Sequence, residues 1–133
     1  MNDHIAELKQ KFESGDLFPK SLGIELVELE PGRAVVAMTV TESMANFHGT
    51  AHGGALFTLA DTAFALSCNS HGTPAVALSV TMDYMAPARP GDRLVAVAEE
   101  AQRTKRTGSY HITVTANGET KIAFFRGLAF IKA

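Results

Sequence analysis

One stretch limits what this 133-residue chain can fold into: Gly53-Gly54-ALFTLADTAFALSCNS, residues 53–70. Ala55, Leu56, Phe57, Leu59, Ala60, Ala63, Phe64, Ala65 and Leu66 fall at helical spacing and cover almost every side of the segment. A helix apolar all round belongs in a core, wrapped by other elements. Yet Asp61 stands in its middle, where a carboxylate is costly unless it is paired or used. One reading makes Asp61 a satisfied core acid, hydrogen-bonded to Thr58 or Thr62; the other makes it chemically active. At the helix start, Gly53 and Gly54 leave backbone N–H groups open and allow close approach to the main chain. Such an N-terminus favours an anion or a developing oxyanion, although the same glycines also suit a plain tight loop.

The remaining elements must supply the wrapping. Residues 3–14 place Ile5, Leu8 and Phe12 at helical spacing, with Asp3 as a cap and Gly15 as a stop. Residues 22–30 alternate as a strand, Pro31-Gly32 turns the chain, and 33–40 form the hairpin partner. Beyond Pro74 the pattern is all β: 75–84, then 92–103 after the break at 87–91, then 110–116, and 121–131 after the Asn117-Gly118 hairpin turn. A basic turn, residues 104–109, separates two of these strands. The order helix, two strands, buried helix, four strands is satisfied by one long antiparallel sheet curling around one helix, an α+β domain spanning residues 1–133 with 1–20 as N-terminal helix and lead-in.

Composition narrows the function classes. A net charge of −2 gives no electrostatic case for nucleic acid or an acidic membrane surface. The single cysteine, Cys68, excludes an internal disulfide, fits a reducing compartment, and on the apolar helix reads as a small core residue. The N-terminus is polar and acidic, unlike a signal or transit peptide, and the one apolar run is short and broken by Asp61. The expectation is a cytoplasmic protein.

The stretch from Asn46 through His52-Gly53-Gly54 to Asp61 resembles the hotdog-fold acyl-CoA thioesterases, in particular the branch that includes the phenylacetic-acid-pathway thioesterase. Tyr84-Met85-Ala86-Pro87-Ala88, the Gly91-Asp92 turn and the basic turn before Gly108 extend the likeness to nearly the whole chain. The resemblance implies hydrolysis of acyl-CoA thioesters without metal or bound cofactor, with aryl-acetyl-CoA as the leading substrate class. It implies that Asp61 is the nucleophile or general base, that the Gly53 N–H is the main oxyanion donor, and that Asn46 orients the attacking water or the thioester. A hydroxyl on the strand after the helix, Ser79 or Thr81, assists in such enzymes. It further implies a homodimer or homotetramer. The residue types suit the reaction independently, because a thioester has a good thiolate leaving group and needs little beyond a carboxylate and oxyanion stabilisation.

Other constellations carry less. His48 and His52 have i, i+4 spacing, but the glycines around them make a loop without a third metal ligand, and His52 reads as a group orienting the glycine turn next to Gly54. His71 follows the helix end, where a cation is favourable. No nucleophile elbow, P-loop or dinucleotide fingerprint is present, and a hotdog dehydratase fits the His-Gly-Gly…Asp spacing poorly. Lys105 and Arg106, flanked by Thr104 and Thr107, are either a solvated turn or a contact for CoA phosphates; Arg89, Arg93 and Arg126 are weaker candidates. Phe57, Phe64 and Met82 are either core or walls of an acyl pocket. A non-catalytic acyl-CoA-binding regulator, and a thioesterase for hydroxybenzoyl or medium-chain acyl groups, are the competing readings.

Overall fold

The computed structural model describes residues 3–132. Two short helices, α1 (Asp3–Gly15) and α2 (Leu17–Ser21), precede the hairpin of β1 (Glu25–Glu30) and β2 (Arg33–Thr39). A 3-10 turn, Glu42–Met44, leads into α3 (Gly53–Cys68), and four strands follow: β3 (Ala75–Tyr84), β4 (Arg93–Arg103), β5 (Thr107–Ala116) and β6 (Thr120–Ile131). All six strands form one antiparallel sheet in the order β1-β2-β4-β5-β6-β3. The chain has the hotdog fold, a long curved sheet around a central helix.

Two turns fix the register. Asn117 and Gly118 both take positive φ (54° and 75°) in the tight turn between β5 and β6, where the Glu119 N–H donates to Ala116 O (3.1 Å) and Ala116 pairs with Thr120. Gly32, at φ 79°, closes the β1–β2 hairpin. With register set, the strands alternate: Leu94, Ala96 and Ala98 of β4, and Tyr110, Ile112 and Val114 of β5, all point inward and are buried. They meet Leu56, Leu59, Ala60, Ala63 and Phe64 of α3.

One close helix–sheet approach is at Phe64. Its ring packs on Tyr110 and Phe125 (centroids 5.7 and 5.8 Å apart) and lies directly over Gly127. A Cβ at Gly127 would sit 2.6 Å from that ring. Phe64 is therefore core and not an acyl-pocket wall, whereas Phe57 and Met82 are half-buried at its margin. Past the helix end, Glu100 accepts a hydrogen bond from the Tyr110 hydroxyl (3.0 Å) and pairs with His71 Nε2 (2.6 Å), tying the helix exit to β4 and β5. Burial and the neighbouring Glu100 both push the Tyr110 phenol up.

The structure corrects several sequence readings. The first strand starts at Glu25, because Leu22–Ile24 turn sharply on Pro19 and Lys20 carbonyls with Gly23 at φ 72°. The lead-in contains the helix α2. The basic turn is tighter than its composition implied: Thr104 and Thr107 bridge it, and β5 begins at Thr107. Most consequentially, the sheet does not enclose α3 on every side. Gly54, Thr58, Asp61 and Ala65, at i, i+4, i+7 and i+11, form a stripe that stays half or wholly exposed.

Gly127→Ala forces a methyl against the Phe64 ring and is expected to cost about 1–3 kcal/mol in urea unfolding. The double variant Gly127→Ala/Phe64→Leu should cost less than the sum of the two single changes, since the two sites share one contact.

Candidate active site

The chain enters α3 through a loop held on both flanks. Ala45 and Ala51 form an isolated bridge, Ala51 N–H donates to Ala88 O (2.8 Å), and His52 N–H donates to Met44 O (2.7 Å). Within the loop Asn46 is the organiser: its Oδ1 accepts from the His48 N–H (2.9 Å), the Thr50 N–H (3.2 Å) and the Thr50 hydroxyl (3.2 Å). Phe47 and His48 project from this frame into solvent and stack on each other at 4.0 Å.

His52 is the helix N-cap. Its backbone is extended (φ −60°, ψ 136°), and its Nδ1 accepts the Gly54 N–H at 2.9 Å. That bond fixes the ring as the tautomer with an unprotonated Nδ1. Gly54 is thus occupied by its own cap. The preceding N–H, that of Gly53, has no acceptor among the described residues. On its other side Gly53 is clamped: the Tyr84 hydroxyl donates to Gly53 O at 3.1 Å, and the Tyr84 ring lies 3.4 Å from where a Cβ would be. A methyl there would meet that ring at ordinary van der Waals distance.

Gly53 opens into a cleft of about 360 Å³, lined also by Asn46, Thr50, Leu56, Tyr84 and Met85. Tyr84 was not among the site residues read from sequence, though it closes the Tyr84–Ala88 segment that carried the resemblance. Its position against Gly53 follows from the sheet ending there, a tertiary fact.

Asp61 does not share that cleft. It lies eight residues further along α3, a rise of about 12 Å, on the open stripe. Neither threonine satisfies it: Thr58 and Thr62 donate to the carbonyls of Gly54 (2.8 Å) and Thr58 (2.6 Å). The carboxylate has no hydrogen bond or ion pair among the described residues. Burial, and then the nearby charge of Asp16, hold its pKa above the ordinary carboxylate range. Cys68, two turns on, is buried, and its thiol is pushed up to about 12, mainly by burial, which makes it an inert neutral group at neutral pH.

The other sequence candidates fall elsewhere. Ser79 and Thr81 are exposed on the edge strand β3, in a small groove with Ser109 and Arg126. Lys105 and Arg106 are exposed in the β4–β5 turn, and Thr107 begins β5. Arg93 is engaged by Glu25 (3.2 Å). The fold brings Asn46, His52, Gly53 and Gly54 together at the helix entrance and leaves Asp61, Ser79, Thr81 and the basic turn apart from them within one chain. Among the described residues no helix is long and apolar enough to cross a membrane.

The hotdog fold and the relatives of the chain together make it a thioester hydrolase. The chain belongs to the thioesterase superfamily, whose family model matches residues 48–123. It is 46% identical over 112 residues to the acyl-coenzyme A thioesterase PaaI of Escherichia coli, covering 84% of this chain and 80% of that protein. The solved structure of E. coli PaaI, from the phenylacetic acid degradation operon, superposes with a TM-score of 0.95 at 39% identity, over 99% of this chain and 96% of that one. Human acyl-coenzyme A thioesterase 13 is 30% identical over 125 residues, 92% of this chain and 89% of its own length. The Streptococcus mutans protein smu.793, solved bound to acetyl CoA, matches with a TM-score of 0.80 at 28% identity, covering 83% and 89%.

His52→Ala removes the cap acceptor from the Gly54 N–H and should lower stability by about 0.5–2 kcal/mol, whereas His52→Asn, itself a good N-cap, should retain most of it. Thermal unfolding of the two variants side by side measures the difference.

Proposed function

We propose that the chain hydrolyses acyl-CoA thioesters, with aryl-acetyl-CoA (phenylacetyl or hydroxyphenylacetyl) as the preferred class, at sites shared between two protomers. One observation carries this reading: the unsatisfied Gly53 N–H and the unpartnered Asp61 occupy one helix but stand about 12 Å apart along it. The donor must lie about 3 Å from the carbonyl oxygen, and the attacking group about 3 Å from its carbon. That leaves roughly 6–7 Å between them, too short for one helix to span. A second copy with its α3 antiparallel across a two-fold axis sets Gly53 of one protomer near Asp61 of the other, giving two identical sites. The open stripe Gly54, Thr58, Asp61, Ala65 is the surface such a partner covers, and the free edge strand β3 lies beside it.

In the proposed site the thioester oxygen takes the Gly53 N–H, whose peptide is held by the His52 carbonyl accepting from the Ala55 and Leu56 N–H groups (2.9 and 3.4 Å), while the His52 cap and the Tyr84 hydroxyl hold the next peptide. Asp61 of the partner either removes a proton from the attacking water or attacks the carbonyl carbon itself. The C–S bond breaks with CoA leaving as thiolate, and water supplies the hydroxyl of the product acid. Asn46 lines the cleft with one Nδ2 hydrogen beyond that given to Thr50 Oγ1 (3.1 Å), and Ser79 or Thr81 at the edge strand supplies the assisting hydroxyl. Lys105 and Arg106, exposed and without ion pairs among the described residues, receive the CoA phosphates beside Thr107. The whole chain acts as one domain in the cytoplasm, as a homodimer or homotetramer. The likeness to PaaI supports the aryl-acetyl assignment.

Asp61→Asn is expected to reduce kcat by roughly 10²–10⁴ without loss of folding. Refolding it together with Gly53→Pro should restore activity, because heterodimers rebuild one intact site of two; mixtures that stay inactive while mass spectrometry detects heterodimers would exclude the shared site. Wild-type activity should fall with pH at a limb above the ordinary carboxylate range, since the required ionised Asp61 is lost as pH drops through its raised pKa.

A thioester panel with thiol release monitored tests the substrate. Phenylacetyl-CoA should exceed saturated straight-chain and hydroxybenzoyl thioesters in kcat/KM, and binding without turnover on every member would favour the regulator. Alanine at Lys105 and Arg106 should raise KM for CoA thioesters but not for phosphate-free pantetheine thioesters.

A further inference from the structure

We propose that Tyr84, at the end of β3, is a positioning residue of the hydrolytic site: its hydroxyl ties the Gly53 carbonyl to the sheet and so keeps the Gly53 N–H aligned on the thioester oxygen. The proposal rests on the reading of the Gly53 N–H as the oxyanion donor.

Tyr84 reaches the helix from a fixed part of the sheet. It pairs with Ala123 of β6, and the next two N–H groups, those of Met85 and Ala86, both donate to Ile122 O (2.8 and 3.2 Å). Ile122 and Ala123 are fully buried, so the strand end is anchored in the core. From there the phenol crosses to the first residue of α3. Its hydroxyl donates to Gly53 O at 3.1 Å, and its ring carbons lie 3.4 Å from where a Gly53 Cβ would be. In a regular α-helix the first carbonyl already accepts the N–H four residues on. The bond from Tyr84 is therefore an addition to the helix and not a need of it.

The helix start is where such a restraint has an effect. Two successive glycines, Gly53 and Gly54, open α3, and glycine gives the backbone its widest freedom. The peptide that carries the Gly53 N–H is held by the His52 carbonyl, which accepts from Ala55 and Leu56. The peptide that follows is held at both ends, its N–H by His52 Nδ1 (2.9 Å) and its carbonyl by the Tyr84 hydroxyl. His52 acts from within the first turn and moves with it, whereas Tyr84 acts from the sheet. Tyr84 thereby sets where the first turn stands against the cleft, which it lines together with Gly53, Asn46, Thr50 and Leu56. Alignment matters here, because one oxyanion donor is worth about 10²–10³ in rate and a misplacement of about 1 Å can cost about 10².

Tyr84→Phe keeps the ring and removes only the hydroxyl. The experiment is steady-state kinetics of this variant and wild type on one CoA thioester, at several temperatures well below both melting midpoints. Alongside it runs inhibition by a ketone analogue in which a methylene replaces the thioester sulfur. The expected result is a kcat lowered roughly 3–10-fold, a fraction of the loss of the donor itself. KM and the inhibition constant of the ketone should stay within about twofold of wild type, because the neutral carbonyl feels the misalignment far less than the oxyanion does. A kcat within about 1.5-fold of wild type would overturn the proposal. So would a rise in KM and in the inhibition constant with kcat unchanged, which would make Tyr84 a substrate contact. A loss of kcat that vanishes on cooling would also overturn it, since Tyr84 would then only hold the helix start against fraying. Near-normal turnover by a folded Gly53→Pro variant, which lacks the N–H, would instead remove the donor reading on which the proposal rests.

Discussion

Everything in this molecule depends on covering one helix that cannot be left in water. Ten of the sixteen residues of α3 are buried, and only a long, strongly curved sheet presents enough apolar surface to wrap a helix of that length on more than one side. The small inward residues of β4 (Ala96, Ala98) and β6 (Ala123, Gly127, Ala129) let the sheet close tightly, and Phe64 fills the space that they leave. The same closure stops short along one line of α3. That line is where the helix carries Gly54, Thr58, Asp61 and Ala65, residues too small or too polar to drive burial against the sheet.

The helix start shows how an unspent donor comes out of ordinary capping. Four N–H groups at a helix N-terminus need partners. His52 takes one through its side chain, and its carbonyl receives those of Ala55 and Leu56 (2.9 and 3.4 Å). The Gly53 N–H is the group left over, and Tyr84 from the end of β3 holds the peptide that follows it through Gly53 O. A rigid, unspent donor is what oxyanion stabilisation requires, because no reorganisation is then needed as charge develops. Asp61 is unspent in the complementary sense, a carboxylate whose neighbouring hydroxyls, Thr58 and Thr62, turn to backbone carbonyls instead.

The N-terminal segment gives the site its asymmetry. Without α1 and α2 the open stripe of α3 would face solvent alone; with them it faces a groove with Asp16 on its rim. In the proposed mechanism the fold keeps one acid basic by partial burial, and leaves the donor end free of charge.

The sequence by itself determined the element order, the central helix and its apolar faces, the Asn117-Gly118 hairpin, and the residues Gly53 and Asp61 as the chemical landmarks. These were legible because periodicity, glycine conformation and a carboxylate among apolar residues are local facts. The family likeness was legible for the same reason, since its most specific piece is one short stretch. Only the tertiary structure decided that Asn46 spends its side chain on its own loop, that Phe64 is core, that Tyr84 clamps Gly53, and that Thr58 and Thr62 leave Asp61 unpaired. It also decided that Asp16, distant in sequence, lines a groove with Ala65 and Leu66 of α3. Such pairings depend on where separate elements meet, and no local pattern of hydrophobicity or charge encodes which side chain will arrive from across the sheet.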